Sequence, residues 1–155
     1  MKMPISLRPA LILSAAFCVT LAAHAAGAAT VTTTKATASI EEGDRLWAAN
    51  KLEEAQLRFQ EAIKSDPNSV DAKMKLAGLQ ITLLNYSGAL LTYRDVLSID
   101  AKNARAWMGM GMCYLHSGSR EMARASFEEA LRADPSRKQQ IEPVLAELDT
   151  RIEAK

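Results

Sequence analysis

Apolar residues recur at three- and four-residue steps through most of the chain, and short polar stretches interrupt them at regular distances. That period belongs to amphipathic helices rather than strands. One pair of segments runs from Val70 to Leu83 and from Gly88 to Ile99, with a break at Leu84-Asn85-Tyr86-Ser87. The next pair runs from Ala104 to His116 and from Glu121 to Ala133, with a break at Ser117-Gly118-Ser119. Ser, Asn and Gly weaken helix interiors and favour turns, so the breaks are expected to be the corners of helical hairpins. Asp-Pro at 66–67 and again at 134–135 closes the second helix of a pair, because proline disfavours the helical conformation in the residue before it.

The hairpins repeat. A shift of 34 residues superposes Ala55, Ala89 and Ala123, then Phe59, Tyr93 and Phe127, then Asp66, Asp100 and Asp134. Three copies follow: Ala36–Ser69, Val70–Asn103 and Ala104–Arg137. Small residues stand where paired helices must cross closely (Gly43, Ala77 and Gly111 against Ala55, Ala89 and Ala123). The bulky Phe59, Tyr93 and Phe127 are then expected to fill the space between neighbouring pairs. One hairpin alone cannot bury its apolar face, so three stacked units are expected to share a continuous core.

This order of small and large residues resembles the tetratricopeptide repeat family over residues 36–137. The third copy carries the most family positions, with Trp107, Gly111, Tyr114, Ala123, Phe127, Ala130 and Pro135. The first keeps Gly43, Leu46, Ala55, Phe59, Ala62 and Pro67 but has Ser39 where the family favours Trp. The second keeps Leu76, Ala77, Ala89 and Tyr93, and departs at Lys73, Gln80, Val96 and Ala101. The resemblance implies an all-α protein: a right-handed α-solenoid of three helix-turn-helix repeats (38–137) plus a C-terminal capping helix.

It also implies a concave surface lined by the first helix of each pair. Copy one would contribute Thr37, Ile40, Asp44, Trp47 and Ala48; copy two, Asp71, Met74, Gly78, Ile81 and Thr82. Copy three would add Arg105, Met108, Met112, Leu115 and His116. The spacing within each set keeps its members on one helical face. Such a surface is apolar and rich in methionine, a flexible and polarizable side chain suited to varied apolar partners. The expected ligand is therefore a protein or peptide, as an apolar segment or an amphipathic helix. One subclass of the family holds acidic chaperone tails with Lys and Asn at set groove positions. Ile40 and Asp44 occupy those positions here, which argues against that ligand class. The alternative is self-association through the apolar end near Ile40 and Trp47.

Residues 138–155 carry the stripe Ile141, Val144, Leu145, Leu148 and Ile152 beside several acids. This reads as the capping helix, expected to start near Ile141 because Pro143 is tolerated only in a first turn. A polar face that is acidic rather than basic argues against a membrane-surface helix.

The N-terminus changes the picture of compartment. Lys2 and Arg8 precede an apolar run, Ala10 to Ala23, and Ala23-His24-Ala25 supplies small residues around a cleavage point after Ala25. That is the layout of a secretory signal peptide (1–25), and the run is too short for a membrane span of about 20 residues. Phe17 before Cys18 is too bulky for a lipidation motif. Ala26 to Thr37 lacks a helical period and is expected to be a flexible leader (26–37). Alanine richness points to a bacterial envelope and a periplasmic address, where family members serve as assembly scaffolds.

The whole chain has 155 residues, 48% of them hydrophobic and 24% charged, with net charge +1. Removing two cations with the leader peptide leaves −1. Neither value supplies an electrostatic reason for a nucleic-acid partner, and the composition is that of a globular protein. After cleavage Cys113 is the sole cysteine, so no internal disulfide is expected.

Met108, Met112 and His116 fall on one face and are soft enough ligands to raise the question of copper. Two turns of helix separate the first from the last by about 12 Å, so all three cannot hold one ion unaided. No cofactor or metal is therefore expected. Nor is an enzyme: there is no phosphate loop, no HExxH or CxxC spacing, and Cys113 with His116 lacks a third orienting group.

Overall fold

The computed structural model describes residues 34–153. Among them lie α1 (34–48), α2 (Leu52–Ser65), α3 (Val70–Thr82), α4 (Tyr86–Ile99), α5 (Ala104–His116), α6 (Arg120–Ala133) and α7 (Lys138–Glu153). A 3-10 turn over Pro135–Arg137 leads into α7, and no strand occurs among the described residues. Nor is any helix among them long and apolar enough to cross a membrane. The solenoid of three hairpins with a terminal helix is thus observed.

Two expectations on boundaries change. Residues 34–37, assigned to the leader, belong to α1, and Ala36 is only 3% exposed. Ala36 is the repeat partner of Ala104, which is buried too; the β-branched threonines around it hide the helix start from a propensity reading. The signal peptide and the rest of the leader lie outside the described residues. The capping helix starts at Lys138 rather than near Ile141, with Pro143 inside it. Proline there forfeits one bond, to the Gln139 carbonyl, and burial of Ile141 and Leu148 outweighs that loss.

The corners obey the 34-residue register in detail. Asn50, Leu84 and Gly118 all adopt left-handed backbone, at φ 58°, 59° and 77°. Each next residue donates its N–H five residues back: Lys51 to Leu46, Asn85 to Gln80 and Ser119 to Tyr114, at 2.8–2.9 Å. These are three Schellman closures, which satisfy helix-end carbonyls and turn the chain back on itself. Asp66, Asp100 and Asp134 follow the second helices with φ of −135°, −131° and −143°. Each Oδ1 accepts the N–H two residues on, from Asn68, Lys102 and Ser136. Ser69 and Asn103 then cap the following helix through the N–H groups of Ala72 and Ala106.

Packing completes the stack. Gly43 and Gly111 admit the rings of Phe59 and Phe127 from the partner helices of their own hairpins, so close that a β-carbon would lie 2.5 and 2.8 Å from them. Trp47 meets Phe59 edge to face, with centroids 6.2 Å apart. At the other end Arg124 ties α6 to α7 through Asp149 at 2.9 Å. Helices α3 and α5 touch one another, whereas α2 does not reach α4 and α4 does not reach α6. The odd-numbered side is therefore the tighter one, and the stack is concave there.

Candidate functional site

On that concave side lies a pocket of about 400 Å³. It is lined by Trp47 of α1, Asp71, Met74, Lys75 and Gly78 of α3, Tyr93 of α4, Arg105 and Met108 of α5, and Arg137 of the 3-10 turn. All three repeats contribute. Asp71, Met74, Lys75 and Gly78 share one face of α3 because their steps are three and four residues. The indole of Trp47 lies on Gly78, where a β-carbon would be 3.2 Å from the ring. Trp47, Met74 and Met108 supply the apolar lining.

The polar lining is less uniform than an apolar groove predicts. Lys75 is paired with Asp44 at 2.7 Å, which joins α3 to α1. Arg137 Nε donates to Asp134 at 2.9 Å, and its Nη1 lies 3.7 Å from the Met108 sulfur. Both cations are half neutralised by the fold itself. Arg105 makes no ion pair among the described residues. Tyr93 is 5% exposed, at the wall of the pocket. Burial first, and then Cys113, push the phenol up to about 12, while Arg105 pulls it down. At neutral pH the hydroxyl keeps its proton and remains a donor.

Of the residues expected to line the groove, Trp47, Asp71, Met74, Gly78, Arg105 and Met108 come together. Several others have different neighbours. Asp44 serves as the partner of Lys75. Ile40 is half-buried against the Phe59 cluster, and Ile81 packs on the larger core. Leu115 faces a separate 160 Å³ slot beneath α7, with Arg120, Val144, Glu147 and Leu148. Met112 is 44% exposed outside the pocket. His116 stacks on Tyr86, centroids 4.8 Å apart and planes 6° from parallel. Met108, Met112 and His116 therefore do not converge, and among the described residues no cluster of His, Cys, Asp and Glu is placed to hold a metal. Cys113 is fully buried, and burial pushes its thiol up to about 11.

Lys75, Tyr93 and Arg137 are the pocket residues that the groove reading missed. Each has a signal in the register. Lys75 lies four residues after Asp71 on the same face. Tyr93 carries a hydroxyl where its repeat partners are Phe59 and Phe127. Arg137 replaces the capping Ser69 and Asn103, so the chain runs on into α7 and the side chain is free to turn inward.

Comparison with known proteins agrees with this architecture. Two models described as tetratricopeptide repeat match residues 40–104 and 84–148. Residues 40–148 therefore carry tetratricopeptide repeats. It is 34% identical over 78 residues to the peroxisomal targeting signal receptor of Komagataella phaffii, a match covering 50% of this chain. That stretch spans only 14% of the receptor. The first such domain of Spaghetti (RPAP3), bound to the HSP90 peptide SRMEEVD, superposes with a TM-score of 0.73 at 16% identity, covering 78% of this chain and 95% of that one. The Yersinia enterocolitica type III secretion chaperone SycD, in complex with a peptide of the translocator YopD, gives 0.70 at 17% identity, covering 74% and 92%. At those identities the structural likeness concerns the fold.

Proposed function

We propose that this chain is a non-enzymatic adaptor that holds a segment of a protein partner in the concave pocket, and that it works in the bacterial envelope after export. The single observation that carries the binding role is the pocket itself. Its walls come from three repeats, so only the assembled stack creates it, and it joins apolar surface to a few polar groups as binding sites do. The peptides held by the Spaghetti and SycD domains support the same role. The envelope address rests on the signal-peptide pattern of residues 1–25.

Affinity capture from a bacterial envelope extract, with crosslinking, tests the role. Met108→Glu is expected to abolish capture with helicity unchanged, and Met112→Glu to leave capture intact, because only Met108 lines the pocket. Equal capture by both variants rejects the pocket. A periplasmic fraction lacking the protein rejects the address.

Self-association is the second reading, and one observation favours it. Leu57 and Leu91 are repeat partners on α2 and α4, and they are 58% and 63% exposed. Light scattering across a concentration series decides it: a monomer at every concentration removes this reading.

A further inference from the structure

The pocket has a floor that the repeat does not call for. Gly78 stands inside α3, where its repeat partners are Asp44 on α1 and Met112 on α5. Glycine weakens a helix interior relative to alanine, so its presence there needs a reason. Gly43, Gly109 and Gly111 have one in the packing: a β-carbon on each would lie 2.2–2.8 Å from the ring of Phe59, Tyr93 or Phe127. Gly78 has no such core neighbour. A β-carbon there would meet only the end of the half-buried Trp47 indole, 3.2 Å away. The space that a longer side chain at 78 would take up is the pocket, which Gly78 and Trp47 line together.

We propose that Gly78 sets the specificity of the pocket, by leaving room for one aromatic side chain from an uncharged stretch of the bound segment, seated against Trp47. The inference rests on the adaptor reading and names the side chain that the pocket takes. An apolar cavity of about 150 Å³ holds benzene, and this pocket measures about 400 Å³. Its walls suit a ring. Trp47 and Tyr93 offer aromatic surface, and the thioethers of Met74 and Met108 make favourable contacts with aromatic edges. Phe59 steadies Trp47 edge to face, so the indole is ordered before anything binds, which lowers the cost of binding. Charge points to a neutral occupant. Lys75 and Arg137 are neutralised by Asp44 and Asp134, and Asp71 and Arg105 add one charge of each sign. No net field therefore draws an ionised side chain into the pocket.

The test uses the purified chain and 12-residue peptides, acetylated and amidated at their ends. Their background is uncharged, and the central residue is Phe, Trp, Leu, Ala, Glu or Lys. The wild type is expected to bind the Phe or Trp peptide about tenfold more tightly than the Ala peptide, and more tightly than the Leu peptide. Gly78→Leu is expected to bring the first ratio close to one, and Gly78→Ala to give a value in between. Helicity should hold and the melting temperature should not fall, because both replacements favour helix. Equal binding of Phe and Ala peptides by the wild type overturns the aromatic assignment, and so does tightest binding of the Leu, Glu or Lys peptide. An unchanged ratio in Gly78→Leu overturns the role of Gly78. Absence of binding to every peptide overturns the subsite, while capture of an envelope partner that Met108→Glu abolishes keeps the adaptor reading. Failure of both assays overturns the two together.

Discussion

The outer end of the Tyr93 ring fills the space that a side chain at Gly109 would need, so that a β-carbon there would lie 2.2 Å from Cζ. This contact joins the second repeat to the third. In an ordinary helix Gly→Ala gains about 1 kcal/mol. Here the obstacle is a buried ring, and overpacking costs about 1–3 kcal/mol. Gly109→Ala is expected to lower the urea midpoint. A raised midpoint would mean that the ring moves aside freely.

The corners make a prediction of opposite sign. Leu84 holds left-handed backbone and is 70% exposed, so its side chain contributes little burial. A left-handed conformation costs an ordinary residue about 1–2 kcal/mol, and Asn tolerates it better. Leu84→Asn, which copies Asn50, is expected to stabilise by about 1 kcal/mol in denaturant titration. Gly118→Ala is expected to destabilise by a similar amount, although its surroundings are open.

Ring removal from the core should be severe. Phe127 is 2% exposed and fits against Gly111. Phe127→Ala is expected to cost about 3–5 kcal/mol, a large part of the roughly 5–15 kcal/mol available to a domain. A calorimetric loss below about 1 kcal/mol would show that the third repeat closes over the cavity.

Alkali provides a further check. Burial raises Cys113 from 9.0 to about 11 and Tyr93 from 10.0 to about 12. Between those values the unfolded chain has released protons that the folded chain still holds. Stability is therefore expected to fall as pH rises from about 9 towards about 12. Cys113→Ala removes the lower part of that window, so its loss of stability should begin at higher pH. Identical profiles for the two proteins would contradict the assignment.

Much of the fold was legible because the repeat places one kind of residue at each structural job. Gly43 and Gly111, Phe59 and Phe127, and the three aspartates stand in register, and the structure gives each set a common contact. What escaped depends on three-dimensional neighbours. Periodicity put Ile81, Leu115 and His116 on the correct face of their helices. It carried no information that the core, α7 and Tyr86 would take them up. The pocket was found in part, through Trp47, Met74 and Met108. Lys75, Arg137 and the Tyr93 phenol were missed, the last two because they are departures from the repeat rather than instances of it, whereas Arg105 was read from its helical face.

Position 137 has a consequence for the size of the array. Ser69 and Asn103 each cap the first helix of a new hairpin, whereas Arg137 ends a 3-10 turn that leads straight into α7. The joint that links one hairpin to the next is thus broken after the third unit. Lengthening it by duplication requires insertion upstream of Asp134, where each joint already matches the next, and every inserted unit would widen the hollow without disturbing the plug.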